Sequence, residues 1–237
     1  MTDTVRLSKR LAEQLTCSRQ EAEQYIAGGW VKVDGVVIEE AGYRIASEQS
    51  IELVPNATLT PAVPVTFLIN KAAGVHIDAI ASTLNINSQA AGDRSGIAFL
   101  KRHLNNLTLC GDLTSEASGL VILTQDWRVA RKLIDDAAKI EHEFIVEVSG
   151  AMQANGLQLL NQGITLNGKV LPAMKVSWQN ETRLRFALKA PQSHLIEQMC
   201  ASVGLSVLAQ KRIRIGRLAM SSLALGEWRY LLGYERF

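Results

Sequence analysis

The stretch CGDLTSEASGLVILT, residues 110–124, constrains the fold of this chain more than any other part of the sequence. Its first half, up to Ser118, is polar and typical of a loop. Gly119 then opens the apolar run of residues 120–123, whose length and branched side chains predict a buried strand. A polar loop held against a buried strand commonly places a reactive group at the floor of a cleft. A plain loop in front of a core strand explains the same residues.

Composition indicates an ordinary globular protein. The 237 residues are 47% hydrophobic and 20% charged, and they suffice for one large domain or for a small and a medium one. No apolar run reaches the length of a membrane span, and the opening residues MTDTVRLSKR lack a signal-peptide core. The three cysteines are odd in number and far apart, so we expect neither a disulfide framework nor a metal site. We therefore predict a cytoplasmic protein.

Charge is informative through its distribution and not through its total. A net charge of +2 is too small to indicate a nucleic-acid partner by itself. The last part of the chain, residues 205–237, nevertheless holds six basic residues against two acidic ones. These bases are Lys211, Arg212, Arg214, Arg217, Arg229 and Arg236.

The N-terminal part predicts two short helices followed by small strands. Leucines recur every four residues and predict one face of the first helix. The second helix begins after Ser18, an expected N-cap whose capping box Glu21 completes, and it ends at Gly28-Gly29. Three strands follow, the first two joined by Asp34-Gly35, a strong hairpin signal. The leucines are Leu7, Leu11 and Leu15, and the strands are expected around residues 31–33, 36–38 and 51–54.

Three of the five prolines lie within ten residues and indicate a linker. Pro55, Pro61 and Pro64 stiffen a polar stretch, as is typical of a boundary between domains. We therefore predict a small domain over residues 1–54, a linker over 55–65 and a larger domain over 66–237.

The larger domain contains both predicted strands and predicted helices, and we predict an α+β fold for the whole chain. Residues 76–106 are polar and irregular, with a possible short helix near 97–103. An Asn167-Gly168 turn predicts a hairpin over 163–171. Strands are expected over 67–71, 120–123, 143–148 and 183–188, and helices over 126–136, 151–160 and 193–202.

The helix pair with its Asp-Gly hairpin resembles the small RNA-binding domain found in ribosomal protein S-four and in many RNA-modifying enzymes. The resemblance implies that residues near the two helix starts contact RNA phosphates without reading sequence. These residues are Arg6, Lys9, Arg10, Ser18, Arg19 and Lys32. Because residues 1–54 contain nine acids and six bases, solvated charges on a small domain explain them as well. The matching positions are Arg6, Leu7, Leu11, Ala12, Cys17, Ser18, Arg19, Ala22, Ile26, Gly29, Val31, Val33, Asp34, Gly35 and Val36.

The order of residues in GDLTSEASGL resembles the catalytic motif of the RsuA/RluB/RluE/RluF family of pseudouridine synthases. That family carries Gly-Arg-Leu-Asp at the start of the motif, and its aspartate is the essential catalytic carboxylate. Here Asp112 stands at the arginine position and Thr114 at the aspartate position. The frame of the site is therefore present without its key residue.

Four further segments resemble the family. Lys71 and Gly74 match an Asn-Lys-Pro-x-Gly segment, and Phe144 replaces a tyrosine that packs against the target base. Phenylalanine keeps a stacking face, which implies base stacking, although a core phenylalanine is a common alternative. The helix at 194–199 keeps Ile196 and Met199 of an Arg-Gln-[Ile/Val]-Arg-Arg-Met motif and loses its arginines. The closing segment matches at Arg212-Ile213-Arg214-Ile215-Gly216, and with Lys71 these arginines complete the implied RNA-binding set.

The resemblance covers nearly the whole chain and implies a two-domain fold. The small domain carries a helix pair and β-hairpin that bind RNA. The larger one is pseudouridine-synthase-like, with a mixed, mainly antiparallel sheet flanked by helices. The implied partner is structured RNA, ribosomal RNA in particular. Neither a membrane nor a cofactor nor a metal is implied, and the protein is expected to be a monomer.

Three functions follow as hypotheses. We favour an RNA-binding protein that no longer isomerises uridine, because threonine has no carboxylate and is not ionised at pH 7. The second hypothesis is an active enzyme that uses Asp112 or Glu116 as its catalytic carboxylate. Two residues along an extended backbone move a side chain by roughly 6–7 Å, whereas a misplacement of about 1 Å already costs 10²-fold in rate. The third hypothesis is a role in assembly or protein interaction that does not use the cleft.

Overall fold

The computed structural model describes residues 4–59, 63–163, 165–166, 169–170 and 173–237. The chain divides into two compact units, Met1–Pro64 with Ala98–Asn105, and Val65–Ile97 with Asn106–Phe237. The segment Ala98–Asn105, which we assigned to the larger domain, thus belongs to the first unit. The predicted domain limits otherwise stay a prediction. Pro61 of the predicted linker and the Asn167-Gly168 turn lie outside the described residues.

Among its described residues, the first unit contains two α-helices, five short strands and the 3₁₀ turn Lys101–Leu104. The capping box at Ser18 and Glu21 is confirmed, and so is the helix that it begins. Strands β1 and β4 pair with each other and were not predicted, because three-residue strands carry too little periodic pattern. The other three strands form an antiparallel sheet in the order β3-β2-β5. The elements are β1 Thr4–Arg6, α1 Leu7–Leu15, α2 Arg19–Ala27, β2 Val31–Val33, β3 Val36–Val37, β4 Arg44–Ala46 and β5 Ile51–Leu53.

The apolar faces of the two helices pack on the small sheets. Leu7 and Leu11 are fully buried as the four-residue spacing predicts, and they meet Ala22 and Ile26 of the second helix in one cluster. Each fully buried leucine or isoleucine contributes about 1.5–3 kcal/mol to folding. This cluster therefore gives the first unit a core of its own.

The second unit is built on one nine-stranded sheet with the order β12-β13-β9-β14-β8-β6-β16, to which β7 and β15 attach. Every pairing in it is antiparallel except that of β14 with β8. The predicted mixed, mainly antiparallel sheet is thus confirmed. Its strands are β6 Thr66–Lys71, β7 Thr108–Cys110, β8 Ser118–Thr124, β9 Glu141–Gly150, β12 Lys175–Trp178, β13 Arg183–Lys189, β14 Leu205–Ile215, β15 Leu218–Ala219 and β16 Trp228–Tyr230. A separate hairpin joins β10 Thr165–Leu166 to β11 Lys169–Val170.

Three α-helices accompany this sheet. They are α3 Trp127–Asp135, α4 Gly156–Gln162 and α5 Leu195–Ser202. The helix predicted over 151–160 instead starts at Gly156, because Asn155 before it has a left-handed backbone. The short helix expected near 97–103 is a 3₁₀ turn, Lys101–Leu104. Further 3₁₀ turns span Ile77–Thr83, Ile86–Ser88 and Ala137–Lys139.

The predicted strand after the polar loop is β8, and it lies in the middle of the sheet. Its apolar residues 120–123 are almost entirely buried. Leu133 of α3 packs on Leu120 and Ile122 in one hydrophobic cluster. Gly119 brings β8 against β14, because a side chain there would lie 2.2 Å from the carbonyl oxygen of Arg212. This glycine also has φ of +106°, which other residues rarely adopt.

Replacing Gly119 should therefore disrupt the centre of the sheet. We expect Gly119→Ala to lower the free energy of unfolding by about 3 kcal/mol or more, since strain and overlap add. Gly74→Ala is the matched control, because Gly74 has a similar φ of +85° and no atom within 4 Å of an added side chain. The control should cost about 1–2 kcal/mol. Urea unfolding of the full chain measures both, and equal losses would contradict a close approach at Gly119.

Candidate functional site

The motif loop, residues 111–117, connects β7 to β8 at the centre of the second unit. It carries Asp112, Thr114 and Glu116, the three residues proposed from the sequence. Two buried cations, Lys71 and Arg212, donate hydrogen bonds to its backbone. The conformation of the loop is therefore set by contacts to its carbonyl groups.

Lys71 ends β6 and is 1% exposed. Its ammonium nitrogen donates to the carbonyl oxygens of Ala72 at 3.0 Å, Val75 at 2.8 Å and Ser115 at 3.1 Å. Burial lowers the pKa of this ammonium group, and the charge of Glu116 opposes that shift. An ammonium group has three N–H donors, so these carbonyls use its full capacity.

Arg212 lies on β14 and is fully buried. Its Nε donates to the Leu120 carbonyl at 2.7 Å, its Nη1 to Asp112 at 2.9 Å and its Nη2 to Gly111 at 3.3 Å. Burial lowers the pKa of Arg212 to about 10, and nearby Asp112 opposes this shift, so the side chain stays charged at neutral pH. The guanidinium thus ties the start of the motif loop to the start of β8.

The structure corrects three predicted RNA contacts. Lys71 and Arg212 are buried and bound to backbone carbonyls, so a phosphate group cannot reach them. Arg214 lies closer to the surface, but its guanidinium binds the carboxylates of Glu141 and Glu143. All three cations were interpreted as RNA ligands from their sequence positions, and all three instead stabilise the second unit.

Thr114 stands where the resemblance to the family's motif predicts an aspartate. Its hydroxyl oxygen is buried and forms no hydrogen bond of standard geometry, although it contributes to lowering the pKa of Glu116. An unpaired buried hydroxyl costs about 1–3 kcal/mol. The site therefore has an uncharged hydroxyl group at this position, and that hydroxyl lacks a hydrogen bond of standard geometry.

The two carboxylates of the motif loop are both exposed and differently engaged. Asp112 accepts hydrogen bonds from the Ser193 hydroxyl and from the backbone N–H of Leu113, each at 2.8 Å. Glu116 accepts one from the Ser115 hydroxyl, and this bond is the main reason that its pKa lies below the usual value. Glu116 is therefore ionised at neutral pH.

Phe144 and His142 of β9 point toward the protein interior. Phe144 is 1% exposed and lies opposite Phe186 of β13 and Arg212 of β14, and its stacking on a base stays a prediction. The alternating pattern of β9 correctly indicated a half-buried strand, and position 144 is on its buried side. His142 is also buried, and its Nδ1 has no hydrogen-bond partner. Burial, reinforced by Arg212 and Arg214, lowers the pKa of His142 to about 3, so it is neutral.

Helix α5 carries an acidic residue where the family has an arginine. Glu197 is partly buried, and one of its carboxylate oxygens has no hydrogen-bond partner. The exposed His194 has its Nδ1 4.0 Å from this carboxylate. Asp112 and Glu197 thus carry carboxylates at two positions where the resembled motifs have arginines.

The predicted RNA-binding residues of the first unit remain at the surface to different degrees. Arg6, Lys9 and Arg19 are exposed, and Arg19 forms only a surface ion pair with Glu23. Ser18 is exposed but caps α2. Two of the set are partly buried: Arg10, which donates to the carbonyls of Ala46 and Ser47, and Lys32 on β2. Their contacts with RNA stay predictions.

Two other kinds of site are not found in the part of the chain that the structure describes. No described helix is both long and apolar enough to cross a membrane. No group of three or more histidine, cysteine, aspartate or glutamate side chains among the described residues is arranged to hold a metal ion. The three cysteines are free, and Cys110 and Cys200 are buried.

Removing Arg212 should release the motif loop. We expect Arg212→Ala to lower the free energy of unfolding by about 3–5 kcal/mol, since it leaves three carbonyls unpaired and opens a cavity. Arg217→Ala, which removes an exposed arginine nearby in sequence, is the control and should change stability by less than about 0.5 kcal/mol. Urea unfolding of the two variants gives the comparison. A loss at position 212 no larger than at 217 would show that these carbonyl contacts do not hold the loop.

Comparison with known proteins agrees with this fold and site. The model of the S4 domain matches residues 5–51. The chain is 27% identical to an uncharacterized RNA pseudouridine synthase of Aquifex aeolicus, over 98% of this chain and 94% of that protein. It is 28% identical to ribosomal large subunit pseudouridine synthase B of Bacillus subtilis, over 97% of this chain and 93% of that protein. It is 25% identical to the dual-specificity RNA pseudouridine synthase RluF of Escherichia coli, over 98% of this chain and 77% of that protein.

A solved structure shows the same fold. The crystal structure of a pseudouridylate synthase superposes with a TM-score of 0.60 at 22% identity and covers 96% of each chain. The match of residues 5–51 to the S4 domain and the similarity over nearly the full length thus make this chain similar to the RluB and RluF pseudouridine synthases.

Proposed function

We propose that this protein binds structured RNA, ribosomal RNA in particular, through its S4 domain and does not isomerise uridine. The observation that carries the second part is Thr114, which replaces the family's catalytic aspartate with a buried hydroxyl. The protein would then act as an RNA-binding member of an enzyme family, as a monomer in the cytoplasm.

Thr114 lacks the chemistry that the missing aspartate supplied. A threonine hydroxyl becomes a nucleophile or a base only when a strong base lies beside it. The nearest cations, Lys71 and Arg212, have their donors on backbone carbonyls. His142 has a pKa of about 3 and is a weak base. These contacts support a site without an activated group at the aspartate position.

Asp112 is poorly suited to replace the aspartate. One of its carboxylate oxygens accepts from Ser193 and the other from Leu113. The side chain therefore faces the segment before α5, two residues from the catalytic position in sequence. Such a displacement costs far more in rate than the roughly 1 Å misplacement that already costs 10²-fold.

The RNA part of the proposal rests on the S4 domain and on the relatives. Arg6, Lys9 and Arg19 present exposed positive charges near the starts of α1 and α2. Contacts of this kind position an RNA backbone without reading its sequence. The matched relatives are named as RNA or ribosomal large subunit pseudouridine synthases, which favours ribosomal RNA as the partner here.

An active enzyme remains the second candidate, because Glu116 is ionised and lies close enough to Thr114 and Lys71 to interact with both. A uridine isomerisation assay on ribosomal RNA fragments separates the two candidates. Pseudouridine formed by the wild type and lost in Glu116→Gln or Asp112→Ala would support the enzyme. Absence of pseudouridine with intact RNA binding would support the silent protein.

Arg19→Ala should weaken RNA binding uniformly across sequences. Loss of one phosphate contact reduces affinity by roughly tenfold near 0.1 M salt and lowers the slope of log K against log salt by about one. Protein stability should not change, since the Arg19–Glu23 pair is a surface ion pair. Salt-dependent filter binding to a ribosomal RNA fragment measures both affinity and slope.

Arg44→Ala provides the matched control, because Arg44 is an exposed base of the same unit on β4 and not at a helix start. It should leave the salt slope unchanged. If both variants bind RNA as the wild type does, the S4 domain is not the RNA anchor. RNA binding without any salt dependence would favour a role in protein assembly.

A further inference from the structure

A cavity of about 680 Å³ opens at one edge of the sheet of the second unit, beside the segment whose Ser193 binds Asp112 of the motif loop. Its walls come from β12, the end of β13, the start of β9 and the start of α5. None of its lining residues belongs to the motif loop or binds it as Lys71 and Arg212 do. A cavity of this volume lies in the range of sites for small molecules, about 300–1,000 Å³.

The cavity carries an excess of positive charge. Lys175 of β12 and Lys189 at the end of β13 both line it, and both are exposed. Among the described residues, neither ammonium group forms an ion pair or a hydrogen bond. The acidic side chain of the lining, Glu141, is neutralised by Arg214. Two free ammonium groups beside a neutralised carboxylate favour an anionic ligand.

The rest of the lining is apolar with one amide. Leu188 is buried, and Leu195 and Met174 are partly buried, so they offer an apolar surface. Gln192 lines the same cavity, and its amide is able both to donate and to accept hydrogen bonds. An apolar surface with one amide suits a planar ring that has polar atoms at its edge.

One wall of the cavity has a strained backbone. Ala190 has φ of +44°, a left-handed conformation that costs a residue with a side chain about 1–2 kcal/mol. Ser193, three residues later, donates its hydroxyl to Asp112 and so fixes the segment to the motif loop. Strained residues of this kind cluster at ligand sites, where the surroundings hold them in place.

We propose that this cavity binds a ribonucleotide, with the phosphate group between Lys175 and Lys189 and the base against Met174, Leu188 and Leu195. Gln192 would then meet the polar edge of the base. The ligand is either a free mononucleotide or one nucleotide of a bound RNA. This site goes beyond the proposed function, because it requires neither the S4 domain nor the family's catalytic cleft.

Calorimetric titration of the full chain with uridine 5′-monophosphate at low salt tests the site directly. We expect the wild type to bind it and the nucleoside uridine to bind more weakly. The double variant Lys175→Ala/Lys189→Ala should lose about tenfold or more in affinity, since it removes both charged groups that would bind the phosphate. The control Lys132→Ala/Lys139→Ala removes the same charge from exposed positions outside the cavity and should bind as the wild type does.

A second variant distinguishes loss of the cavity from a general loss of positive charge. Leu195→Trp keeps both lysines and fills the cavity, so it should also abolish binding of the mononucleotide. A folded Leu195→Trp protein that binds as tightly as the wild type would overturn the proposal. Equal binding by the double lysine variant would overturn it too.

A short RNA, hexauridylate, separates the two sources of the nucleotide. Tighter binding of hexauridylate than of the mononucleotide, weakened by the double lysine variant, identifies a nucleotide within RNA. Binding of the mononucleotide alone identifies a free ligand. If the wild type binds neither molecule at millimolar concentration, the proposal is wrong. Arg19→Ala should not alter mononucleotide binding. A result showing that the S4 domain does not anchor RNA would therefore leave the test of the cavity unaffected.

Discussion

The second unit depends on two buried cations that bind backbone carbonyls. Lys71 and Arg212 have no carboxylate at ion-pair distance among the described residues, and each instead donates three hydrogen bonds to main-chain oxygens. A buried cation without such acceptors would cost several kcal/mol. These contacts join the end of β6, the motif loop and β14. The same hydrogen bonds therefore stabilise both the centre of the sheet and the loop of the candidate cleft.

This arrangement explains how the scaffold persists without the catalytic residue. The cations hold the loop through carbonyls of Gly111, Asp112 and Ser115, which every residue type provides. An aspartate at position 114, as the resembled motif has, would therefore leave the support of the loop intact and add only a charge. The changed residues, Thr114 and Glu197, contribute chemistry, whereas the retained ones, Lys71, Gly119 and Arg212, contribute structure.

Sequence reasoning succeeded where local pattern determines structure. The capping box of α2, the Asp34-Gly35 hairpin and the buried strand β8 follow from a few neighbouring residues. It failed where burial depends on distant partners. Arg212 and Phe144 resemble surface ligands in the sequence, yet the pairing of β14 with β8 and β9 buries both. The pairing of β1 with β4 and the late start of α4 also depend on contacts or backbone geometry that no periodic pattern records.

The central claim is that the retained scaffold no longer isomerises uridine. Mapping of pseudouridine in ribosomal RNA at single-nucleotide resolution, from cells with and without this gene, tests it most directly. The account predicts identical maps, while the protein still co-purifies with ribosomal RNA. A pseudouridine that disappears with the gene and returns with the wild-type protein would contradict it. Some residue other than Thr114 would then supply the catalytic group.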